Sequence, residues 1–344
     1  MKRFLAILTI IGIAAAAYYW HERYTGGNSD ASASLGPVSP DLCKVNEFWP
    51  GFFGGFAPVK MNGKWGYINM NGRIAVMPRY SSAMNFGEKM APIRQGNKFG
   101  YIYYDGMDLI NKDYQLATPF HEDAAVVSKD GKRMFINRQN EPLFEQTFEG
   151  AGRFSEGLAP VRVDGKWGYI DKQGALVIKP QFEWAQTFTE GLGCVRISRA
   201  DNRWGYVDHS GEIVTQLRCK RAMPFINGLA PMLSLDDKYG FINTNGGYMV
   251  NPDYDGAWWF NDGLAPVKVG ERWGYINAQG RMLIKPQFDR AYPFSEAKAY
   301  VEISKRSGGK EQLITGYIKH DGSFFWKFTG QPTEEEVTDS GSDS

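Results

Sequence analysis

A chain of 344 residues is long enough to bury a large core. Forty glycines, 15% aromatic residues and only 22% charged residues suit many short strands and turns. A formal net charge of +1 supplies no global attraction for nucleic acid or a membrane surface, so nucleic acid is excluded as an expected partner.

The first predicted element is a hydrophobic helix. Lys2-Arg3 precede the uncharged stretch Phe4 to Ala17, the n-region and h-region of an export signal. Ala14 and Ala16, or Ala15 and Ala17, are small residues suited to cleavage. Tyr18-Tyr19-Trp20 suit an uncleaved anchor equally, with aromatics at the membrane interface. Residues 1–23 are therefore expected to be a signal peptide or an N-terminal membrane anchor, the anchor being residues 4–20. This segment is the only expected contact with a membrane. Either way the remainder is expected to be exported, to the periplasm or cell envelope. No lipoprotein cysteine follows, because Cys43 lies too far downstream. Residues 24–45, rich in Gly, Ser, Ala and Pro, read as a flexible linker.

Residues 46–329 repeat one phrase. Lys64-Trp65-Gly66-Tyr67-Ile68 returns at Lys98-Phe99, Lys166-Trp167, Arg203-Trp204, Lys238-Tyr239 and Arg272-Trp273, with degraded copies at Arg133-Met134 and Thr315-Gly316. The fuller frame opens at Phe52, Phe86, Phe120, Phe154, Phe188, Phe225, Phe260 and Phe294. Eight copies with a basic period of 34 residues mean an array, propeller or solenoid. Each copy reads as a three-stranded meander. Leu158 to Val163 ends in the hairpin signal Asp164-Gly165, Lys166 to Asp171 returns, and Leu176 to Phe182 follows a turn. Pro160 and Pro180 belong at strand ends or edges. Gly168 is expected to let the next sheet come close.

From the aromatic slot to the next opening Phe the spacing is constant at twenty-one, as in Trp65 to Phe86 and Trp273 to Phe294. From opening Phe to aromatic slot it ranges from thirteen, Phe154 to Trp167, to twenty-one, Phe294 to Thr315. The extra length therefore sits in the first hairpin, at Ser198 to Arg203, Ser234 to Lys238 and Ser304 to Gln312. These loops must project from one face, and such a face commonly binds partners.

The pattern resembles the WG-repeat family of bacterial proteins. The resemblance is carried by Trp65-Gly66, Trp167-Gly168, Trp204-Gly205 and Trp273-Gly274, with Glu156 to Val161, Ile178 to Phe182 and Ile284 to Phe288 around them. It spans roughly four-fifths of the chain. It implies an all-β repeat module with a binding or scaffolding role and no catalytic residues. The expected fold is all-β: about eight three-stranded repeats in a β-propeller-like ring, with an open β-solenoid as the alternative. A ring would remove exposed edges. A propeller blade usually has four strands, which the segment Phe182 to Gly191 could complete.

Two of the three cysteines, Cys194 and Cys219, break the pattern of one repeat by replacing a Pro and a Phe. A disulfide between them is expected, with unrelated buried thiols as the alternative. No catalytic or metal motif is present. His21, His121, His209 and His320 have no partners at ligand spacing, so no metal or cofactor is expected. Glu88, Glu156, Glu190, Asp262 and Glu296 share one repeat position, and Asn69, Asp171, Asp208, Asn243 and Asn277 share another. One carboxylate per turn is too few for calcium, and Asx capping of the turn is the expected role.

Two basic columns flank the variable hairpin. Lys64, Lys98, Lys132, Lys166, Arg203, Lys238 and Arg272 precede the aromatic slot, while Lys60, Arg94, Arg162, Arg196 and Lys268 end the first strand. Lys305, Arg306 and Lys310 extend the last hairpin. A basic rim for an acidic protein or anionic envelope polymer is one reading, and the candidate rim is Lys64, Arg94, Lys98, Arg162, Lys166, Arg196, Arg203, Arg272, Lys305 and Arg306. The other is that these bases face acids on neighbouring repeats. Trp184, Trp258 and Trp259 fall outside the repeating slot. They suit stacking on sugars if exposed, or the core between repeats if buried. Residues 330–344 form an acidic, Ser-rich tail expected to be disordered. The expected function is a non-enzymatic, exported binding or scaffold module; the alternative is a carbohydrate- or peptidoglycan-binding module using exposed aromatics.

Overall fold

The computed structural model describes residues 50–61, 63–106, 108–307 and 310–329. The predicted N-terminal helix, the linker, Cys43 and the acidic tail lie outside the described residues. Every regular element among the described residues is a β-strand.

The repeats are blades. Blade 4, residues 149–182, is the pattern: Gly150–Ala151, Ala159–Val163, Lys166–Ile170 and Leu176–Phe182 form an antiparallel sheet in chain order. The expected three-stranded meander thus gains a short inner strand beginning ahead of the opening Phe in blades 2 to 8. That strand is buried, whereas the last strand exposes Leu176 and Val177. The short strand therefore faces the middle of the ring and the last strand its rim. The other blades are residues 50–80, 81–114, 115–148, 183–219, 220–254, 255–288 and 289–329. Blades 1 and 3 show three strands each in the described residues.

Pro160 lies inside the first strand, opposite Tyr169, not at its end. A proline cannot donate to the inner strand, and the inner ladder stops at Ala151 opposite Val161. Where Cys194 replaces that proline, the inner strand runs on from Trp184 to Thr189.

The glycine of the Trp-Gly pair has a different role from the one expected. A Cβ on Gly168 would lie 2.4 Å from the Ile178 carbonyl oxygen and 2.7 Å from the Pro180 nitrogen. Those atoms belong to the outer strand of the same blade, which bulges around Pro180: Trp167 faces Phe182 while Tyr169 faces Ile178. Gly66 and Gly274 meet the same backbone positions. The glycine admits its own outer strand, not the neighbouring sheet.

Blades are held by one repeated contact. The aromatic ring two residues after the Trp slot packs on the opening Phe of the next blade. Tyr67 meets Phe86, Tyr101 meets Phe120, Tyr169 meets Phe188 and Tyr206 meets Phe225, with centroids 4.5–5.0 Å apart. The series ends with Tyr317 on Phe52 at 5.0 Å, so the last blade packs on the first and the ring is closed. Each such pair adds about 0.5–1.5 kcal/mol beyond its burial. The tyrosine hydroxyl donates across the same seam: Tyr67 to the Met84 carbonyl at 2.7 Å and Tyr169 to that of Gln186 at 2.6 Å. Burial pushes the Tyr67, Tyr206, Tyr275 and Tyr317 hydroxyls well above the ordinary tyrosine range, which keeps them as donors. At the closing seam Tyr317 donates instead to the Pro58 carbonyl, at 3.0 Å. In blade 2 the equivalent carbonyl, of Pro92, accepts the Met84 N–H. Pro50, at the Met84 position, has no N–H to give, and Tyr317 fills the place.

Candidate binding face

The first hairpins and the connectors between blades share one end of the ring, because each outer strand ends beside its own first hairpin. Asp164 and Gly165 take φ of +49° and +76°, the two left-handed residues of a type I′ turn. The connector residue after the outer-strand aromatic caps this turn. The Gly165 N–H donates to Glu149 at 3.2 Å, and the Gly270 N–H to Asp255 at 2.7 Å. In blade 3 the neutral Gln115 accepts the Gly131 N–H at 3.1 Å. In blade 2 the connector is Ser81, whose hydroxyl donates to the Arg94 carbonyl at 2.9 Å.

This choice of cap decides the charge of the face. Blades 4 to 8 each place a base of this face against an acid. Arg162 pairs with Glu149 at 3.6 Å, Arg203 with Asp201 at 2.6 Å, Lys238 with Asp255 at 2.6 Å, and Arg272 with Asp289. Lys220 pairs with Asp237 across blade 6. Glu302 takes the base position in blade 8 and pairs with Arg290 at 3.4 Å. Burial pushes the Glu302 carboxyl up, against the opposing pull of Arg290 and Lys60. The Lys238 ammonium, helped by the Gly270 N–H, holds Asp255 below its usual range.

Blades 1 to 3 differ. Lys64, Lys98, Lys129 and Lys132 are exposed at the hairpins, and the blade 2 and 3 connectors Ser81 and Gln115 carry no acid, while Lys132 precedes the acidic connector Glu149 by the seventeen residues that separate Lys238 from Asp255. Lys98 reaches only the Asp113 carbonyl, at 3.3 Å. Arg94 crosses to the Phe99 ring, and its Nε and guanidinium bond Gly96 and Asn97. Lys60 lies over Trp65, and Arg196 in blade 5 over Trp204. Lys305, on the long hairpin of blade 8 beside blade 1, is exposed too. The Arg306 side chain lies outside the described residues. Lys166 is exposed beside blade 4's paired Arg162 and Glu149. The predicted rim therefore splits into an acid-balanced part over blades 4 to 8 and a basic arc over blades 1, 2 and 3, with Lys305 of the long blade 8 hairpin beside it.

The acidic columns act on the opposite face. Glu88, Glu156 and Asp262 sit at left-handed turns and accept N–H groups from the next blade, those of Asp123, Gly191 and Ala297. Glu296 closes this belt by accepting from Gly55 of blade 1 at 3.4 Å. Arg138 binds Glu88, Lys172 binds Glu122 and His209 binds Glu156. His209 and His320 also stack on Phe188 and Phe294. Asp171 accepts the Gln173 and Ala175 N–H groups, and Asn69, Asp208, Asn243 and Asn277 repeat that cap. Among the described residues no three His, Cys, Asp or Glu side chains converge as a metal site.

No tryptophan among the described residues is exposed. Trp184 packs on Trp167, and Trp258 stacks between Trp259 and Trp273. Trp259 donates to the Pro224 carbonyl across the blade seam. The expected disulfide is not formed. Cys194 and Cys219 are buried thiols beside the Tyr206 hydroxyl, to which Cys194 is hydrogen-bonded. Burial pushes the Cys219 thiol up to about 12. Their paired departure is a core exchange: both join one apolar cluster with Trp204 and Phe225, where Trp184 packs alongside.

Eight sequential sheets, six of four strands and two of three among the described residues, closed by aromatic contacts, define an eight-bladed β-propeller. The family profile described as WG containing repeat matches residues 50–65, 65–99, 99–132, 134–167, 167–198, 204–239, 239–273 and 273–305. The chain belongs to this family of WG-repeat proteins. No curated protein matches it in sequence. Among solved structures it is similar to BamB from Moraxella catarrhalis, with TM-score 0.53 and 12% identity over 74% of this chain and 93% of that one. It is also similar to a eukaryotic initiation factor, with TM-score 0.51 and 10% identity over 80% of this chain and 84% of that one. At these identities the likeness is one of fold.

Proposed function

We propose that this chain is an exported, non-enzymatic binding or scaffold module of the bacterial cell envelope, and that an anionic protein partner docks on the basic arc of its hairpin face. The observation that carries this reading is the substitution of neutral caps, Ser81 and Gln115, for the acids used in blades 4, 5, 7 and 8. Gln115 caps the blade 3 turn as the acids do elsewhere, so the turn itself does not require a charge, and Ser81 and Gln115 leave Lys64, Lys98 and Lys129 without the acidic connector that Asp255 gives Lys238 and Asp289 gives Arg272. A surface of one sign steers an oppositely charged partner and fixes its register. Export rests on Lys2-Arg3 and the apolar run Phe4 to Ala17.

The test is capture from an envelope extract at two salt concentrations. Three proteins are compared: the native chain, a variant with Lys64, Lys98, Lys129 and Lys132 changed to Glu, and one with Arg203 and Arg272 changed to Glu. The partner is expected to be lost with the first variant and kept with the second. Retention by both would refute the arc. Cell fractionation checks export, and recovery in the cytoplasm would refute it.

A further inference from the structure

The basic arc lies beside the point where the propeller ends. The last strand, Phe324–Thr329, pairs with the long hairpin of blade 8, and Thr329 faces Ile314. Phe328 faces Thr315, as Phe182 faces Trp167 in blade 4, so Thr329 holds the connector position occupied by Glu183 after blade 4. The chain therefore leaves on the hairpin face, at the seam with blade 1. There it adjoins Lys305 and Lys64, with Lys98 and Lys132 one and two blades further on.

The segment beyond Thr329 is of opposite charge. Residues 330–344 contain Glu334, Glu335, Glu336, Asp339 and Asp343 and no Lys or Arg. At about 3.4 Å per residue a segment of this length spans at most ~50 Å. That reach covers several neighbouring blades. An attached acidic segment acts at an effective concentration of roughly millimolar, so even a weak intrinsic affinity fills the site.

We infer that residues 330–344 are an internal occupant of the basic arc, held on Lys305, Lys64, Lys98, Lys129 and Lys132, and that an external acidic segment must displace them. This rests on the reading of the arc as the docking face. The tail then sets the threshold for binding: only a partner with a denser or longer run of carboxylates competes. For an intrinsic dissociation constant of ~0.1 mM, occupancy at millimolar effective concentration weakens a competitor about tenfold.

The experiment uses full-length chains and a fluorescent decaglutamate peptide, read by anisotropy at about 50 mM salt, where exposed charges are weakly screened. The first variant neutralises the tail: E334Q, E335Q, E336Q, D339N and D343N. The second adds K64E, K98E, K129E and K132E to it. The peptide is expected to bind the neutralised-tail chain about tenfold tighter than the native chain. The gap should close as salt approaches 0.5 M, and binding should vanish in the second variant. Equal affinity for the native and neutralised-tail chains would overturn the tail's occupancy and leave the arc standing. No binding to the neutralised-tail chain, or binding that survives reversal of the four lysines, would overturn the arc and the tail's place on it together.

Discussion

Replacing Gly168 by alanine tests why the repeat carries a glycine after its tryptophan. The added methyl carbon would lie 2.4 Å from the Ile178 oxygen, 2.7 Å from the Pro180 nitrogen and 2.8 Å from the Lys179 carbonyl carbon. All three are main-chain atoms in a bulge, so no side chain can swing away. Overpacking of a rigid site costs about 1–3 kcal/mol, and main-chain obstruction places this change near ~3 kcal/mol. At roughly 2–4 °C per kcal/mol for a large domain, the melting temperature falls by about 6–12 °C. Gly247→Ala is the control. Its nearest neighbour would be the Asn243 side chain at 3.5 Å, an ordinary contact. It is expected to change stability by less than about 0.5 kcal/mol. Urea unfolding and thermal melts of both variants measure the difference. Equal stability of the two would refute the assignment of Gly168 to the bulge.

The buried thiols and the Asp255 ion pair each give a further prediction. In a chain carrying Cys43→Ser, a thiol reagent is expected to label neither remaining cysteine in the native state at pH 8, and both after denaturation without reductant; failure to label the denatured chain would restore the disulfide. Asp255 is held below its ordinary value of 3.8, so its ionised form stabilises the fold at neutral pH, and that contribution disappears as pH falls through the depressed value. Asp255→Asn should therefore melt slightly lower than the native chain at pH 7 and match it near pH 2; a constant gap across that range would contradict the ion pair with Lys238.

Much of the propeller is legible in the sequence because the repeat is written in side chains that build it. The opening phenylalanines and the tyrosines after Trp-Gly are the two halves of the seam contact. The variable spacing before the aromatic slot locates the hairpin face. The inner strand is legible only as a segment, Phe182 to Gly191, that could complete a blade; its bounds escape because a two-residue pairing such as Gly150–Ala151 carries no alternation to read. The disulfide expectation fails because the joint departure of Cys194 and Cys219 reports shared packing around Tyr206 as readily as a bond. The acid belt shows as a column, Glu88 to Glu296, but its partners are N–H groups one blade away, invisible to residue type. The split of the rim is the subtlest feature. Its signal is present in the residue after the outer-strand aromatic, Glu149, Glu183, Asp255 and Asp289 against Ser81 and Gln115. The basic columns alone cannot show that this position faces them.

Site-specific photocrosslinking in living cells locates the docking surface. A photoreactive residue would be placed at Asn97, on the blade 2 hairpin between Arg94 and Lys98, at Asn202 on the balanced half, and at Gln173 on the opposite face. A discrete adduct is expected from position 97, weakened when Lys64 and Lys132 are changed to Glu, and none from position 173. Adducts from position 173 with none from position 97 would contradict docking on the arc and place the docking surface on the face of the acid belt.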